Sequence, residues 1–266
     1  MKIDLTGRVA LVTGGSKGIG LAIAQALAEC DANVSVIARS PADLSSALET
    51  LPATTPAPLA VCADVAVSEE VERAVSETAD HFGGLDIVVC NAGGAGTFGA
   101  FEDLSEADWE NTFRLNVMHA VFTVKATLPF LRLSASPRIV LIASTSGFEP
   151  GLMNPHYTTT KAATINLAKY LSRAYAGEGI LVNVICPGPI MTPAMSSFVS
   201  HQAAQVGEPV DEMQVEFETR EAAKVPLGRI GAPRDVGPLV AFLASDHAGW
   251  ITGSAFTVDG GKSARI

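Results

Sequence analysis

The stretch that decides the fold is residues 13–20, TGGSKGIG. It directly follows the apolar run RVALVT at residues 8–13 and opens the helical pattern GLAIAQALAEC at residues 20–30. Its glycines, Gly14, Gly18 and Gly20, allow the backbone to turn sharply between the two elements. The sequence therefore predicts a strand, a tight glycine turn and a helix in immediate succession.

The same turn predicts a binding site for a pyrophosphate group. The free N–H groups at a helix N-terminus and the helix dipole attract anions, and glycines let the backbone approach them closely. Ser16, Lys17 and Ile19 complete the turn. The spacing G-x3-G-x-G differs from the G-x-G-x-x-G fingerprint, and no G-K-[ST] ending indicates a P-loop nucleotidase. A purely structural turn is the alternative.

Outward from this turn, short apolar runs alternate with helical patterns along the whole chain. The runs are continuously apolar, which is typical of parallel strands covered on both faces. Strand–helix alternation predicts one doubly wound α/β domain of the Rossmann type over residues 1–266, with about seven strands and helices on both faces of the sheet. We expect strands at residues 8–13, 33–38, 58–65, 85–93, 138–144, 180–188 and 253–261.

The helical patterns are expected at residues 20–30, 42–49, 68–82, 106–133 and 155–176, with one more beginning near Pro233. Ser68 is the expected N-cap of the third helix. Residues 192–225 are more polar and less regular. No linker or internal repeat separates these elements.

Composition excludes several classes of function. The 266 residues are 48% hydrophobic and 17% charged, with a formal net charge of -10. An acidic chain with no basic run repels phosphate backbones, so we expect no nucleic-acid partner. No apolar run of membrane-spanning length and no signal peptide is apparent, which favours a cytoplasmic protein without a membrane partner.

The four cysteines have no zinc-knuckle or redox spacing. Cys62, Cys90 and Cys186 lie in or at the ends of apolar runs, so they are expected to be buried, reduced thiols. No metal site is expected.

The end of the second strand indicates which nucleotide the turn would accept. An acidic residue at this place binds the ribose 2′-OH of NAD and repels a 2′-phosphate. Here Ala38 is neutral, Arg39 is basic and Ser40 can donate a hydrogen bond. Arg39 and Lys17 together favour NADP(H), with NAD(H) as the alternative, because an Arg fork and a second cation suit a phosphate. Either cation could instead be an exposed surface charge.

The stretch PHYTTTKAATINL, residues 155–167, carries a tyrosine and a lysine four residues apart. Tyr157 and Lys161 would share one face of a helix and could touch. The pair suits proton transfer, but it is also compatible with one ordinary stripe of an amphipathic helix.

The motifs together resemble the short-chain dehydrogenase/reductase family, of the NADP(H)-dependent type similar to 3-oxoacyl-ACP reductases. They are TGGSKGIG, NAG at residues 91–93, a serine ending the fifth strand, YTTTK, CPG at residues 186–188 and ITGSAFTVDGG at residues 251–261. Their order and spacing cover nearly the whole chain. The resemblance implies an oxidoreductase, a ketoreductase, that interconverts a ketone and a secondary alcohol by hydride transfer.

The resemblance also implies a catalytic tetrad of Asn116, Ser144, Tyr157 and Lys161. Tyr157 would be the general acid or base, with its phenolate favoured by the ammonium of Lys161 and by the charge of the oxidised nicotinamide. Ser144 would orient the substrate oxygen. Asn116 would distort its helix and hold a water that links Lys161 to solvent. His156, beside the tyrosine, is expected to be a structural or pocket-lining residue.

Further cofactor contacts follow from the family pattern. Tyr157 and Lys161 are expected to contact the cofactor as well. The other implied contacts lie at strand ends: Asp64, Val65, Asn91, Ala92, Gly93, Pro187, Gly188, Ile190 and Thr192. The glycine-rich loop GGAGTFG at residues 93–99 either contacts the substrate or lies free on the surface.

The substrate is expected to be a small carbonyl compound or alcohol beneath a lid at about residues 192–225. The lid segment and its edge contain several apolar side chains: Met191, Met195, Phe198, Met213 and Phe217. They suit either an apolar substrate or the packed underside of a helical lid. A homotetramer, or a homodimer, is expected, with the helices at 106–133 and 155–176 as candidate interfaces.

Three other functions remain open at this point. One is a catalytically silent NADP-binding sensor. Another is a sugar-nucleotide epimerase or dehydratase of the extended type, which also has Tyr-x3-Lys but needs a larger C-terminal substrate domain. The third is a Rossmann-like methyltransferase, which would not need Tyr157 and Lys161.

Overall fold

A seven-stranded parallel sheet forms the centre of the computed structural model, which describes residues 2–53 and 56–264. The strands are β1 Val9–Thr13, β2 Asn33–Ala38, β3 Leu59–Cys62, β4 Ile87–Cys90, β5 Arg138–Ile142, β6 Leu181–Pro187 and β7 Ala255–Val258. Their order in the sheet is β3-β2-β1-β4-β5-β6-β7. The predicted doubly wound α/β fold is confirmed. The expected domain range also includes residues 1, 54, 55, 265 and 266, which lie outside the described residues.

The order of the strands reverses between β1 and β4, so the connections from these strands leave the sheet in opposite directions. The two strands pair directly, with Val12 opposite Val89. In open α/β sheets a crevice forms at such a reversal, at the carboxyl ends of the strands, and ligands bind there. The glycine turn after β1 and the NAG stretch after β4 both lie at this crevice.

Helices cover both faces of the sheet. The α-helices are α1 Gly18–Ala28, α2 Pro41–Thr50, α3 Ser68–Phe82, α4 Glu106–Phe113, α5 His119–Leu131, α6 Pro155–Ala174, α7 Pro193–Val206, α8 Val210–Ala222 and α9 Gly237–Ala244. Apolar side chains of α3, α5 and α6 form the core on one face of the sheet. Those of α1, α2 and α9 form the core on the other face.

The long helix expected at residues 106–133 is divided. A π-helical segment, Arg114–Met118, separates α4 from α5. Such segments contain an extra residue per turn and are frequent at functional sites. Asn116, which the family resemblance expects to distort its helix, lies in this segment, although the apolar pattern alone predicts one continuous helix.

Other expectations about local structure were wrong in detail. Residues expected to be irregular form α7 and α8. Ser68 is the first residue of α3, and Val67 occupies the cap position without a side-chain hydrogen bond. Near Pro233 there is first a short 3-10 turn, and α9 begins later at Gly237.

The cysteine expectation was also partly wrong. Cys90 and Cys186 are buried, but Cys62 is exposed and Cys30 is half-buried. Cys62 ends β3, which is the edge strand of the sheet, so only one side of its backbone has a neighbouring strand. In the described parts of the chain, no helix has the length and apolar character needed to cross a bilayer.

The close packing of α1 against α9 generates a stability prediction. A Cβ atom at Gly237 would lie 2.7 Å from the carbonyl oxygen of Ala22 and 2.9 Å from Cβ of Ala26. Gly237→Ala should therefore lower the free energy of unfolding by about 1–3 kcal/mol, because the two helices must move apart. Chemical denaturation measures this change.

The matched control is Gly84→Ala. A Cβ atom at Gly84 meets nothing within 4 Å, and its φ is not in the left-handed region. Its unfolding free energy should stay equal or rise slightly. Equal losses in both variants would refute the packing argument.

Candidate functional site

The glycine turn forms a cradle with no room for side chains. Gly14 and Gly18 have φ of +64° and +58°. A Cβ atom at Gly20 would overlap the carbonyl oxygen of Gly14 and the side-chain nitrogen of Asn91. Asn91 in turn donates hydrogen bonds from Nδ2 to the carbonyl oxygens of Thr13 (3.0 Å) and Gly14 (3.2 Å). The turn is thus fixed to the strand end beside it.

The first turn of α1 is open to an anion. Lys17 occupies the N-cap position in extended conformation and makes no side-chain cap hydrogen bond. The first N–H groups of a helix have no partner within the helix. The glycines carry no Cβ atom, so an anion can approach the backbone N–H groups closely. The turn therefore fits a pyrophosphate group, and its residues suit a dinucleotide.

Ser40, after the end of β2, and Lys17, in the glycine turn, both bond to a residue that the sequence analysis did not select. Ser40 Oγ accepts a hydrogen bond from the backbone N–H of Asp43 (3.2 Å) and so caps α2. Lys17 Nζ forms an ion pair with Asp43 Oδ2 at 2.8 Å. Lys17 lowers the pKa of the Asp43 carboxyl. Arg39 is exposed beside them. Asp43, within the first turn of α2, is the neighbour of this region that sequence reasoning missed.

The residues expected around adenine lie at the end of β3. Asp64 Oδ1 accepts a hydrogen bond from the backbone N–H of Ala66 (2.9 Å), and its own N–H donates to Glu70 Oε2 (2.7 Å). Val65 is buried. These bonds fix the backbone of the loop between β3 and α3.

Tyr157 and Lys161 meet at the first turns of α6. Lys161 Nζ lies 5.4 Å from the centroid of the Tyr157 ring and donates a hydrogen bond to the carbonyl oxygen of Ile142 (3.1 Å), at the end of β5. Ser144, two residues further on, hydrogen-bonds with the Tyr157 side chain. Its Oγ also accepts from Ser146 Oγ (2.9 Å). The structure therefore brings Ser144, Tyr157 and Lys161 together at the carboxyl edge of the sheet.

Asn116 joins this group from the π-helical segment. Its Nδ2 donates to the carbonyl oxygens of Thr112 (2.8 Å) and Gly94 (2.8 Å), and its Oδ1 accepts from the N–H of Gly94 (3.2 Å). The side chain is 1% exposed. A Cβ atom at Gly93 would lie 2.5 Å from Asn116 Oδ1 and 3.2 Å from Lys161 Nζ. Asn116 thus fixes the loop after β4 next to the lysine.

Burial controls the electrostatics of the pair. It lowers the pKa of Lys161 to about 8, against the smaller opposing effect of Cys186. It raises the pKa of Tyr157 to about 12, although the hydrogen bond with Ser144 acts in the other direction. The pKa of Tyr157 is thus above its ordinary value of 10, and the lowering expected from Lys161 is not observed, because burial is the largest influence.

His119 is a further buried polar residue that the sequence analysis did not select. Its Nδ1 lies 2.6 Å from the carbonyl oxygen of Leu115. Because a carbonyl oxygen only accepts, Nδ1 carries the hydrogen and Nε2 is an acceptor. Nε2 is buried without a protein partner. Burial, assisted by the charge of Lys161, lowers the pKa of His119 to about 4, so the ring is neutral near pH 7.

His156 has the local role expected for it. Its Nε2 lies 2.8 Å from the carbonyl oxygen of Ala95, and its ring makes an edge contact with Trp109 at 6.0 Å. This bond holds the loop at residues 93–99 against the start of α6.

The remaining expected cofactor contacts surround the end of β6. Pro187 ends this strand, and Gly188 packs so closely on Asp259 that a Cβ atom would lie 2.6 Å from Cβ of Asp259. Ile190 is buried and pairs with Gly231. Thr192 Oγ1 accepts from the N–H of Met195 (3.3 Å) and caps α7.

The start of α7 lies against the glycine turn. A Cβ atom at Gly18 would be 3.6 Å from Pro193 and 3.7 Å from Thr192. Ala92, after β4, is half-buried next to Gly14. Residues 2–53 and 56–264 contain no group of three or more His, Cys, Asp and Glu side chains that could hold a metal ion.

The known proteins that this chain resembles in sequence include reductases and oxidoreductases. A family model described as enoyl-(acyl carrier protein) reductase matches residues 14–263. Oxidoreductase UcpA of Escherichia coli strain K12 is 36% identical over 262 residues, which cover 97% of this chain and 95% of the relative. Versicolorin reductase 1 of Dothistroma septosporum is 34% identical, over 98% of this chain and 99% of the relative.

A solved structure agrees over the whole chain. L-sorbose reductase from Gluconobacter frateurii, complexed with NADPH and L-sorbose, superposes with a TM-score of 0.93 at 31% identity and covers 100% of both chains. A short-chain type dehydrogenase/reductase from Mycobacterium marinum superposes with a TM-score of 0.85 at 29% identity, over 99% of this chain and 98% of that one.

The buried ammonium generates a pH prediction. The pKa of Lys161 falls from its ordinary 10.5 to about 8 on folding. Folding is therefore penalised by the buried charge below pH 8, and the penalty disappears as the pH rises from 8 to 10.5. Without cofactor, Lys161→Met should raise the free energy of unfolding by about 1–3 kcal/mol at pH 6, and by much less at pH 10.

Denaturant titrations of wild type and variant at both pH values measure this difference. Lys169→Met is the matched control, because Lys169 lies on the same helix and is exposed. Its effect should be small at both pH values. An equal gain for Lys161→Met at pH 6 and pH 10 would show that the ammonium is not penalised by burial.

Proposed function

Because the chain belongs to the short-chain dehydrogenase/reductase family and is an oxidoreductase acting on CH–OH groups, we propose that it interconverts a ketone and a secondary alcohol with NADP(H). One observation carries this proposal. The Lys161 ammonium lies 5.4 Å from the Tyr157 ring, with Ser144 on the tyrosine side chain, at the sheet edge that also carries the glycine turn. A proton donor thus lies beside the place where the fold suits a dinucleotide.

The protein's part in this reaction is to bind, orient and move a proton. Tyr157 donates its hydroxyl proton to the carbonyl oxygen in reduction and takes a proton from the alcohol in oxidation. Ser144 holds that oxygen through a hydrogen bond. When bound, the nicotinamide supplies the hydride and, in its oxidised form, a positive charge.

Lys161 and Asn116 support the tyrosine. The ammonium of Lys161 stabilises the phenolate and can bond the nicotinamide ribose with its remaining N–H donors. Asn116 is assigned to hold the loop after β4 and a water that links Lys161 to solvent. The wide winding of its helix at Arg114–Met118 supports this assignment, since such a turn frees backbone carbonyl oxygens.

The proposal includes the cofactor contacts that the family pattern implies. The glycine turn with Ser16, Lys17 and Ile19 would hold the pyrophosphate, and the residues after β3, β4 and β6 would hold the adenine, the riboses and the nicotinamide. Arg39 and Lys17 support NADP(H) over NAD(H), because no carboxylate stands at Ala38 to repel the 2′-phosphate. Asp43 is an acid close to this place, and it already pairs with Lys17.

The proposal extends to the domain, the lid, the substrate and the assembly. We infer one catalytic domain with a lid formed by α7 and α8, a small carbonyl or alcohol substrate, and a cytoplasmic homotetramer or homodimer. An interface formed by α4 and α6 is supported by two exposed aromatic side chains on these helices, Phe113 and Tyr170. A catalytically silent NADP-binding protein is the alternative, and the first experiment below distinguishes the two.

Tyr157→Phe tests the proton donor. Over a panel of ketones with NADPH, kcat should fall by about 10²–10⁴-fold, because the variant keeps the ring but lacks the proton. The variant should still bind NADPH, as measured by fluorescence titration. Tyr170→Phe, on the exposed side of the same helix, should have wild-type activity. Turnover by Tyr157→Phe at the wild-type rate would remove Tyr157 from its proposed role.

Arg39→Ala tests the choice of cofactor. The variant should raise the KM for NADPH by about tenfold or more and leave that for NADH nearly unchanged, because a charge-assisted bond to the 2′-phosphate is lost. Asp43→Asn should lower the KM for NADPH, because it removes the carboxylate that pairs with Lys17. If both cofactors respond equally to Arg39→Ala, the preference for NADP(H) is wrong.

A further inference from the structure

The loop after β4 and the helix α7 meet through two aromatic side chains. Phe98 and Phe198 stack with ring centroids 4.2 Å apart and an interplanar angle of 24°. They are 100 residues apart in sequence. Neither has a part in the proton transfer or in the cofactor contacts described above.

The backbone that carries Phe98 is fixed relative to the proposed proton donor. Gly99 donates from its N–H to Asn154 Oδ1 (3.1 Å), and Asn154 donates from its N–H to the carbonyl oxygen of Gly99 (2.9 Å). Asn154 adopts φ of +57°, a left-handed conformation that asparagine tolerates better than most residues. It lies three residues before Tyr157. Phe98 therefore has a defined position near the start of α6.

Phe198 reaches the same place from the other wall. It lies in the second turn of α7, the helix whose first residues pack against Gly18 of the glycine turn. The stacked pair therefore connects the cofactor side of the cleft to the tyrosine side. A molecule that reaches Tyr157 beneath the lid would pass or contact these rings.

Phe98 and two apolar side chains just before α6 are incompletely buried. Phe98 is 47% exposed, Met153 is 53% exposed and Leu152 is 97% exposed. Leu152 and Met153 lie in the segment between Ser144 and Tyr157. Such a surface gains free energy when it is covered by apolar groups. A polyhydroxylated chain laid against it would leave its hydroxyl groups without partners, which is costly.

We propose that Phe98 and Phe198 form an apolar wall of the substrate pocket and that the substrate carries a flat apolar ring within a few bonds of its carbonyl group. The inference rests on the proposed function as a carbonyl reductase. A flat ring can pack against the exposed face and edges of stacked phenyl rings, in the geometry that aromatic groups prefer. The two phenylalanines are then the residues that determine specificity.

Three ketones and three variants test the proposal. The ketones are 4-phenyl-2-butanone, with an aromatic ring, 2-octanone, with a linear apolar chain, and L-sorbose, with a polyhydroxylated one. The variants are Phe98→Ala and Phe198→Ala, with Phe101→Ala as the matched control. Phe101 is a 73% exposed phenylalanine three residues from Phe98 that contacts Trp109 and not Phe198.

In the wild type, kcat/KM should be highest for 4-phenyl-2-butanone and lowest for L-sorbose. Phe98→Ala and Phe198→Ala should each lower kcat/KM for 4-phenyl-2-butanone by about tenfold, mainly through KM, and for L-sorbose by less than about twofold. Phe101→Ala should match the wild type. A preference for L-sorbose, or equal losses for all three ketones, would overturn the proposal while leaving the proposed reaction intact.

Binding separates this inference from the proposed function. Calorimetry measures the affinity of 4-phenyl-2-butanone for the protein saturated with NADP+, with no turnover required. Weaker binding to Phe98→Ala than to wild type, in a protein that reduces none of the ketones, would support the apolar wall and refute the reaction. Unchanged binding to both alanine variants at the stacked pair would refute the wall.

Discussion

The structure depends on one costly arrangement, a lysine ammonium buried at the end of a strand. Lys161 is 4% exposed and donates to the carbonyl oxygen of Ile142 at 3.1 Å. A buried charge without a full set of partners lowers stability, and functional sites are where proteins retain such costs. A ligand that brought further acceptors to the ammonium would offset part of this cost.

The fold surrounds Lys161 with residues from the ends of separate strands. Parallel strands β1, β4, β5 and β6 end at one edge, so the glycine turn, Gly93, Ser144 and Pro187 become neighbours although they are far apart in sequence. Small residues at the contacts make the convergence possible, since a Cβ atom at Gly93 would crowd both Asn116 and Lys161. The chemistry then depends on α6 alone to place the tyrosine and the lysine on one face.

The sequence predicted the parts of this structure that are determined locally. Continuous apolar runs gave the strands, and the i, i+4 spacing gave the contact between Tyr157 and Lys161. The π-helical segment was expected only as a distortion at Asn116 implied by the family resemblance, because its bonds with Gly94 join residues 22 positions apart. The ion pair of Lys17 with Asp43 was missed for the same reason. Long-range partners leave no periodic signal in the sequence.

The ion pair between Lys17 and Asp43 does not contradict a site for a 2′-phosphate. It is largely exposed, with 60% of the Lys17 side chain accessible, and such pairs contribute about 0–1 kcal/mol. A phosphate carries more charge than a carboxylate and offers several acceptor oxygens, so its hydrogen bonds with Lys17 and Arg39 are worth more. The phosphate would therefore displace Asp43 from the lysine.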